Sequence, residues 1–135
     1  YGGEWGVEGR KEGACDDGLR PRLVLSEMEE RAPIPELKGL LCRLGAIRRE
    51  NPALTDGVYR ELLLTNRQYA FARILGDSAV VVAVNNDSNP AHFEINCPVS
   101  AGGAREALTD TGAELRDGRI IWEMPAYGSA VFIME

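Results

Sequence analysis

The chain has 135 residues, of which 44% are apolar and 27% charged, a composition typical of a folded domain rather than of a disordered segment. Acidic side chains outnumber basic ones by 21 to 15, which gives a net charge of −6. This balance argues against binding to the phosphate backbone of nucleic acids, which requires a basic surface. The sequence also contains no apolar run near the roughly 18 residues of a membrane-spanning helix. We therefore expect neither nucleic acid nor a membrane as a partner.

Three cysteines, Cys15, Cys42 and Cys97, are widely spaced and form no CxxC pair. An odd number with this spacing indicates free thiols in a reducing compartment rather than a disulfide framework or a zinc site. The first residues show neither the basic region nor the apolar region of a signal peptide, so we expect none in this sequence. We therefore expect a cytoplasmic protein, and we interpret a chain that begins at Tyr1 rather than Met as part of a longer one.

Residues 1 to 31 are predicted to form a loop, because they hold six of the fifteen glycines and a cluster of charges. A helix is predicted from Pro35 to about residue 50. Proline suits the first helical turn, and five apolar residues then recur on one face: Leu37, Leu40, Leu41, Leu44 and Ile47. Two glycines at positions 39 and 45 weaken this helix. It therefore needs a packing partner.

From residue 58 onward the apolar period changes to two, which indicates strands. Eight strands are predicted, two of them short. They span residues 59–64, 69–75, 79–84, 91–97, about 106–108, about 114–115, 120–124 and 129–134. The third of them is apolar on both faces and is expected to be central, with both sides covered. About eight strands at regular spacing predict an antiparallel β-sandwich. The predicted fold is therefore mainly β, preceded by a loop and one helix.

No catalytic constellation emerges from the residue types alone. His92 is the single histidine and lies on the polar side of an alternating strand, so we interpret it as a surface residue rather than a catalytic base. Nucleotide and dinucleotide fingerprints are lacking. Four acidic residues share the first loop (Glu4, Glu8, Asp16 and Asp17), and we interpret them as solvated charge rather than as metal ligands. The sequence thus predicts no catalytic residue, no cofactor and no metal site.

Several segments nevertheless resemble the α-amylase superfamily, glycoside hydrolase family 13. Residues 1–6, YGGEWG, resemble the Y-G-x-E-x-G segment that follows its eighth barrel strand, and residues 16–21, DDGLRP, resemble the D-P-x-x-R segment of its cyclomaltodextrinase and neopullulanase branch. The ending RRENPAL at 48–54 is similar to the exit of the last barrel helix. Residues 66–73, 82–86 and 125–131 are similar to the C-terminal sandwich of that branch. Gly3 and Asp17 depart from the pattern.

This resemblance implies a (β/α)8 barrel enzyme that acts on α-glucans. Residues 1–52 would be the C-terminal end of the catalytic barrel, and residues 53–135 the C-terminal β-sandwich domain. The three catalytic carboxylates of the family would lie upstream, so the isolated chain would be inactive. The resemblance assigns Asp16 and Arg20 to the binding of a glucose unit; the plain alternative is a solvated pair on a loop. Trp5 would either stack on a sugar or anchor the loop.

Two other functions remain open. A carbohydrate-binding module would need a row of exposed aromatic side chains on one sheet face, for which Tyr59, Tyr69 and Trp122 are the candidates; core packing is the competing interpretation of each. A protein-interaction sandwich that forms a homodimer would need an apolar patch of several hundred Å². The expected partner of the full-length enzyme is an α-glucan or a maltooligosaccharide.

Overall fold

The computed structural model describes residues 2–11 and 13–135. They divide into two compact units, one ending at Ala46 and the other beginning at Ile47. The division falls within a helix rather than at the end of one. The assignment of residues 1–52 to a barrel and 53–135 to a separate sandwich domain stays a prediction.

The first unit contains more regular structure than the sequence analysis predicted. Two short 3₁₀ turns, Gly3–Trp5 and Asp17–Leu19, are followed by helix α1 at Leu25–Arg31. The expectation that all of residues 1–31 form a loop is therefore wrong for α1. Its glycine-free sequence, LSEMEER, consists of good helix formers, with acidic Glu27 in the first turn and basic Arg31 in the last.

Helix α2 spans Pro35–Glu50, as predicted from its proline and its apolar stripe. The apolar side chains of this stripe are buried to different extents. Ile47 is buried, whereas Leu40, Leu41 and Leu44 are between 36% and 45% exposed. Asn51 ends the helix by donating from Nδ2 to the carbonyl of Ile47 at 2.7 Å, which satisfies one of the last free carbonyls. No helix in the described part of the chain is long and apolar enough to cross a membrane.

The second unit is mainly β, as predicted. A one-turn helix, α3 at Ala53–Asp56, precedes eight strands: β1 Val58–Leu64, β2 Gln68–Leu75, β3 Ser78–Asn85, β4 Ala91–Asn96, β5 Ala104–Glu106, β6 Thr111–Arg116, β7 Arg119–Met124 and β8 Ser129–Met134. All pairs are antiparallel, in the order β1-β2-β3-β8-β5-β6-β7-β4. Strands β5 and β6 differ from the expected positions, because the turn between them occupies 107–110.

The series of strands folds back on itself and encloses one core. Alanines and valines from β2, β3 and β8 face large side chains from β4 and β7, namely Phe93, Ile95, Ile120 and Met124. Phe132 lies in the same cluster, and the Trp122 ring meets it edge-on at 5.2 Å between centroids. Small residues on one layer and large ones on the other allow the layers to interdigitate. The arrangement is that of a β-sandwich.

Strand β3 is covered on both sides, as the sequence predicted. Val81 and Ala83 point into the main core. Val80 and Val82 belong to a second cluster that includes Ala53 of α3. The strand pairs with β2 along one edge and β8 along the other, so its apolar run on both faces is that of a central strand.

Two polar side chains are buried in this unit, and both are fully bonded. The Glu106 carboxylate accepts the backbone N–H groups of Leu108, Thr109 and Val131 at 3.1, 2.7 and 3.0 Å, together with the Thr109 hydroxyl at 2.7 Å. Burial alone would raise the pKa of Glu106, but these donors outweigh it, and the pKa lies below its ordinary value. Glu106 therefore ties the turn after β5 to β8.

Asn85 plays the corresponding role at the end of β3. Its Nδ2 donates to the carbonyls of Asn89 and Pro125, both at 2.9 Å. Its Oδ1 accepts from Gln68 Nε2 at 3.0 Å and from the backbone N–H of Asp87 at 3.2 Å. One amide thus links three separate loops and leaves none of its own hydrogen-bonding capacity unused.

Candidate functional site

The first part of the candidate site is the tight turn that ends at Gly6. Gly6 has φ +71°, and a Cβ at this position would lie 2.6 Å from Ile34 Cγ1, so only glycine fits. The carbonyl of Trp5 accepts the backbone N–H of Ile34 at 3.1 Å. The turn is therefore fixed against the residue that precedes α2. Tyr1, the first residue of the motif, lies outside the described residues.

The second part is the loop that carries Asp16 and Arg20. Its two sides are in direct backbone contact, because a Cβ on Gly18 would lie 2.3 Å from the carbonyl oxygen of Arg10. Any side chain at position 18 would force these segments apart. The glycines that made this region look irregular in the sequence therefore hold the loop closed.

Asp16 and Arg20 flank the same 3₁₀ turn, Asp17–Leu19. The carbonyl of Asp16 accepts the N–H of Leu19 at 3.0 Å, and the N–H of Arg20 donates to the carbonyl of Asp17 at 3.1 Å. Both side chains are exposed. The structure thus places the two predicted site residues at opposite ends of one turn, without an ion pair between them among the described residues.

The Asp16 carboxylate instead contacts a lysine that the sequence analysis did not consider. Lys11 Nζ lies 3.0 Å from Asp16 Oδ1, and both side chains are more than half exposed. An ion pair with this exposure stabilises the fold little. Asp16 is therefore an accessible acceptor, and Arg20 offers a planar set of donors nearby. A role in sugar binding is within their chemistry and stays a prediction.

Trp5 lines a small cavity in the same unit. The cavity has a volume of about 150 Å³ and is formed by Trp5, Met28, Glu29, Ala32, Pro35 and Lys38. Lys38 Nζ lies 5.9 Å from the centroid of the Trp5 ring and 3.2 Å from the carboxylate of Glu29. The indole nitrogen is buried without a hydrogen-bond partner among the described residues. The half-buried ring, with a cation over it, fits a loop anchor better than a free stacking platform.

The aromatic candidates for a carbohydrate platform do not form a row. Trp122 packs edge-on against Phe132 in the core. Tyr59 and Tyr69 flank Phe71, with ring centroids 5.4 and 6.0 Å away, and their hydroxyls hydrogen-bond to each other. The three rings therefore form a closed cluster on the outer side of β1 and β2.

His92 is a surface residue, as expected, but it is not isolated. Its Nδ1 contacts the carboxylate of Glu123, its cross-strand neighbour, and its Nε2 lies 3.6 Å from Glu94. Glu94 also pairs with Arg119 at 2.9 Å. The hydrogen bond to Glu123 raises the pKa of His92 above its ordinary value. Because both imidazole nitrogens already face carboxylates, the arrangement is a surface charge network rather than a catalytic base with its substrate side open.

Glu4, Glu8, Asp16 and Asp17, the acidic residues considered above, form no metal-ligand group in the described part of the first loop. No group of three or more potential ligands among histidine, cysteine, aspartate and glutamate is close enough to hold an ion within residues 2–11 and 13–135. The three cysteines are free thiols. Desolvation raises the pKa of Cys97, which keeps this thiol protonated.

Comparison with known proteins gives structural matches only. No family model matches the sequence, and no curated protein matches it. Among solved structures, the cyclomaltodextrin glucanotransferase CldA is 19% identical with a TM-score of 0.78, over 98% of this chain and 28% of its own. The α-amylase from Geobacillus thermoleovorans, complexed with acarbose, is 23% identical with a TM-score of 0.68, over 78% and 24%. AmyP in complex with maltose is 18% identical with a TM-score of 0.66, over 74% and 20%.

These matches establish the fold. The chain spans between 20% and 28% of the length of the three structures, so it corresponds to part of each. The mainly β architecture predicted from the sequence is confirmed, and it is an architecture found in α-amylase-type enzymes.

Proposed function

We propose that this chain is the C-terminal part of an α-glucan-hydrolysing enzyme of glycoside hydrolase family 13, of the cyclomaltodextrinase or neopullulanase type. The observation that carries the proposal is the match to CldA, which includes 98% of this chain at a TM-score of 0.78. The match extends over the loops and helices of residues 2–46 as well as over the sandwich. The order of the sequence motifs supports the same assignment.

The exposed face of α2 supports a barrel upstream. Leu40, Leu41 and Leu44 lie on one stripe and are all exposed. A helix with this stripe is stabilised mainly by packing against a neighbour. In the proposed parent enzyme that neighbour is the preceding part of the barrel, and the sandwich stabilises the barrel's final helix.

The proposal makes the isolated chain inactive. Retaining hydrolysis of a glycosidic bond needs a carboxylate nucleophile and a carboxylic acid on either side of the bond, and the family places these residues upstream. The contribution of this chain to the active site is the pair Asp16 and Arg20. The carboxylate accepts hydrogen bonds from the hydroxyls of a glucose unit, and the guanidinium donates to them.

The proposed ligand of the parent enzyme is an α-glucan or a maltooligosaccharide. AmyP is crystallised with maltose and the Geobacillus enzyme with acarbose, which supports this ligand class. The three free thiols support a reducing, cytoplasmic compartment.

The first experiment is to sequence the gene upstream of the Tyr1 codon and to express the complete reading frame. We expect a barrel with the three catalytic carboxylates, and hydrolysis of maltooligosaccharides by the full-length enzyme but not by residues 1–135. Asp16→Ala and Arg20→Ala in the full-length enzyme are each expected to reduce kcat/KM by about tenfold or more. Arg22→Ala, a nearby exposed arginine of the same loop, is the matched control. A start codon directly before Tyr1 would contradict the proposal.

A protein-interaction role is the second candidate, and the surface of β1 favours it. Val58 and Leu64 at the two ends of this strand are 72% and 65% exposed, and Tyr59, which follows Val58, is 51% exposed. Light scattering after size-exclusion chromatography tests this candidate. A homodimer that Leu64→Lys disrupts would support it, and a monomer at all concentrations would contradict it.

A further inference from the structure

The sequence contains three Asp-Gly steps, at 17–18, 56–57 and 117–118. An aspartate followed by glycine can react with its own backbone, because glycine has no side chain to shield its amide nitrogen from the aspartate carboxyl. The reaction produces isoaspartate, in which the backbone runs through the former side chain. In a folded protein its rate depends on how firmly the glycine N–H and the turn around it are fixed. The three steps differ in this respect.

The Asp56-Gly57 step is fixed on several sides. Gly57 is buried, and its N–H donates to the carbonyl of Ala53 at 3.0 Å, which caps α3. A Cβ on Gly57 would lie 2.9 Å from the backbone nitrogen of Ile74. The amide nitrogen of this glycine is therefore occupied, and the backbone has no room to rotate. We expect this step to stay intact as long as the second unit is folded.

The Asp17-Gly18 step is less firmly fixed. No acceptor for the Gly18 N–H lies among the described residues. The step is nevertheless part of a 3₁₀ turn, in which the carbonyl of Asp17 accepts the N–H of Arg20 at 3.1 Å. A Cβ on Gly18 would lie 2.3 Å from the carbonyl oxygen of Arg10. Rotation at this step would break the turn and the close backbone contact, so we expect it to react slowly.

The Asp117-Gly118 step lies at the tip of the β6–β7 hairpin, between the paired residues Arg116 and Arg119. Both residues of this two-residue turn are exposed and have positive φ, 49° and 72°. The Gly118 N–H has no hydrogen-bond partner in the described part of the chain. A Cβ on Gly118 would meet no other atom within 4 Å. This is the step whose amide nitrogen is both unbonded and surrounded by open space.

We propose that Asp117 is a site of spontaneous isomerisation to isoaspartate in the folded protein. The Gly118 nitrogen bonds to Cγ of the protonated Asp117 carboxyl, and the Cγ–O bond breaks. The hydroxyl leaves with the amide proton as water, which closes a five-membered cyclic imide. Water then opens the imide. Attack at Cγ restores aspartate, whereas attack at the α-carbonyl carbon gives isoaspartate, so the overall reaction neither adds nor removes atoms.

The surroundings of the turn supply the water and would feel the change. Asp117 and Gly118 line an open cavity of about 600 Å³, together with Cys97. The carbonyl of Gly118 accepts the N–H of Cys97 at 2.9 Å. Isoaspartate adds one backbone carbon to a two-residue turn, which disturbs both the hairpin register and this hydrogen bond. Burial raises the pKa of the Cys97 thiol, so loosening of the turn should make this thiol more solvated and more reactive.

The experiment follows isoaspartate site by site in the 135-residue chain during prolonged incubation at neutral pH. Cleavage after glutamate gives the peptides 51–61 and 115–123, each with one Asp-Gly step, and 13–27 with the third. Mass spectrometry with electron-transfer fragmentation distinguishes isoaspartate from aspartate in each peptide. A second sample is incubated in guanidinium chloride. The Asp56-Gly57 step is the matched control, because it has the same two residues in the same molecule.

In the native chain we expect isoaspartate to form about tenfold or more faster at Asp117 than at Asp56, because reaction at Asp56 requires local unfolding. In guanidinium chloride the two rates should become similar. Equal rates in the native chain, or no isoaspartate at Asp117, overturn the proposal. A native rate at Asp17 above that at Asp117 overturns the assignment to the hairpin.

The link to Cys97 is tested in a Cys15→Ser/Cys42→Ser chain, in which Cys97 is the remaining thiol. Its rate of reaction with a thiol reagent should rise several-fold as isoaspartate accumulates. The added variant Asp117→Gly, which has no carboxyl and tolerates the positive φ, should show no such rise. An equal rise in this variant, or an unchanged rate in the isomerised chain, overturns the link. None of these outcomes depends on the proposed enzyme origin of the chain.

Discussion

In the unit that begins at Ile47, the apolar positions of the strands are buried against one another, and Phe93 and Phe132 are almost wholly enclosed. In the unit that ends at Ala46, several apolar side chains of both helices stay partly in solvent, with Leu25 60% exposed and Leu41 45% exposed. The helices of the first unit and the strands of the second both have regular apolar periodicity. The units differ in whether the chain supplies a second apolar surface that covers these side chains.

The difference teaches that a secondary-structure pattern and an autonomous core are separate properties. Alternation along β2, β3 and β8 is matched by alternation along β4 and β7, so each layer covers the other. The stripe of α2 has no equivalent surface for its leucines within residues 2–11 and 13–46. We therefore expect the second unit to carry nearly all the stability of this chain.

The largest expected effect comes from emptying the sandwich core. Phe132→Ala removes a fully buried ring from the contact with Trp122 and should reduce the free energy of unfolding by about 3–5 kcal/mol. Leu41→Ala on the exposed stripe is the counterpart, with an expected change within about 0.5 kcal/mol. Urea unfolding followed by circular dichroism measures both. Equal destabilisation by the two variants would show that the first unit has a core of its own.

Removal of the buried carboxylate should have the next largest effect. Glu106→Ala leaves three backbone N–H donors without their acceptor and should cost about 3 kcal/mol. The pKa of Glu106 is lowered in the folded state. Its contribution is therefore present above the unfolded pKa and is lost as the pH falls through the folded pKa.

The pH dependence of the protein's stability distinguishes the contribution of Glu106 from that of the other carboxylates. Wild-type stability should fall on acidification below the ordinary glutamate value of 4.5, and Glu106→Gln should remove part of that fall. Thermal unfolding of both proteins between neutral and acidic pH gives the comparison. Parallel curves for wild type and Glu106→Gln would contradict the assignment.

Asn85→Ala is expected to cost somewhat less, about 2 kcal/mol. It frees the carbonyls of Asn89 and Pro125 and the Gln68 amide, but these groups lie near loops where water replaces part of what is lost. Asn86→Ala, on the exposed neighbouring residue, is the control and should change stability little. Hydrogen exchange should report faster opening of the loops at 66–68 and 85–90 in Asn85→Ala alone.

The smallest expected effect is a pH-dependent change in Tm, caused by His92 on the surface of the same sandwich. The pKa of His92 is raised by its hydrogen bond to Glu123, so its contribution is present below the unfolded pKa and is lost as the pH rises through the folded pKa. The Tm difference between wild type and His92→Gln should therefore shrink from about pH 5 to about pH 8. A constant difference across this range would show that the network with Glu94 and Glu123 does not contribute through charge.

Local signals in the sequence were sufficient for most elements. Pro35 and the Asn51-Pro52 step predicted the limits of α2, and alternation located six of the eight strands to within one residue, the exceptions being β5 and β6. Helix α1 was not predicted, because the six glycines that indicate a loop over residues 1–31 all lie upstream of its glycine-free sequence. The position of β5 was missed because the turn after it depends on Glu106, whose partner Val131 lies 25 residues away.

The candidate site was only partly accessible to sequence reasoning. Asp16 and Arg20 came from a motif, and the structure places them on one exposed turn. Lys11, which pairs with Asp16 at 3.0 Å, carries no local signal. Tyr127 carries no local signal for its positive φ of 52° either, and its N–H bonds the carbonyl of Asp87, which is distant in the sequence.

The sequence by itself determined the position of helix α2 and of six of the eight strands, and that β3 is central. These properties depend on periodicity and on residues within a few positions of each other. The tertiary structure decided the strand order, the burial of Glu106 and Asn85, the closure of the aromatic cluster around Phe71 and the exposure of Tyr127. Each of these features depends on contacts between residues that are distant in the sequence. Such contacts exist only in the packed chain and cannot be read from the local sequence pattern.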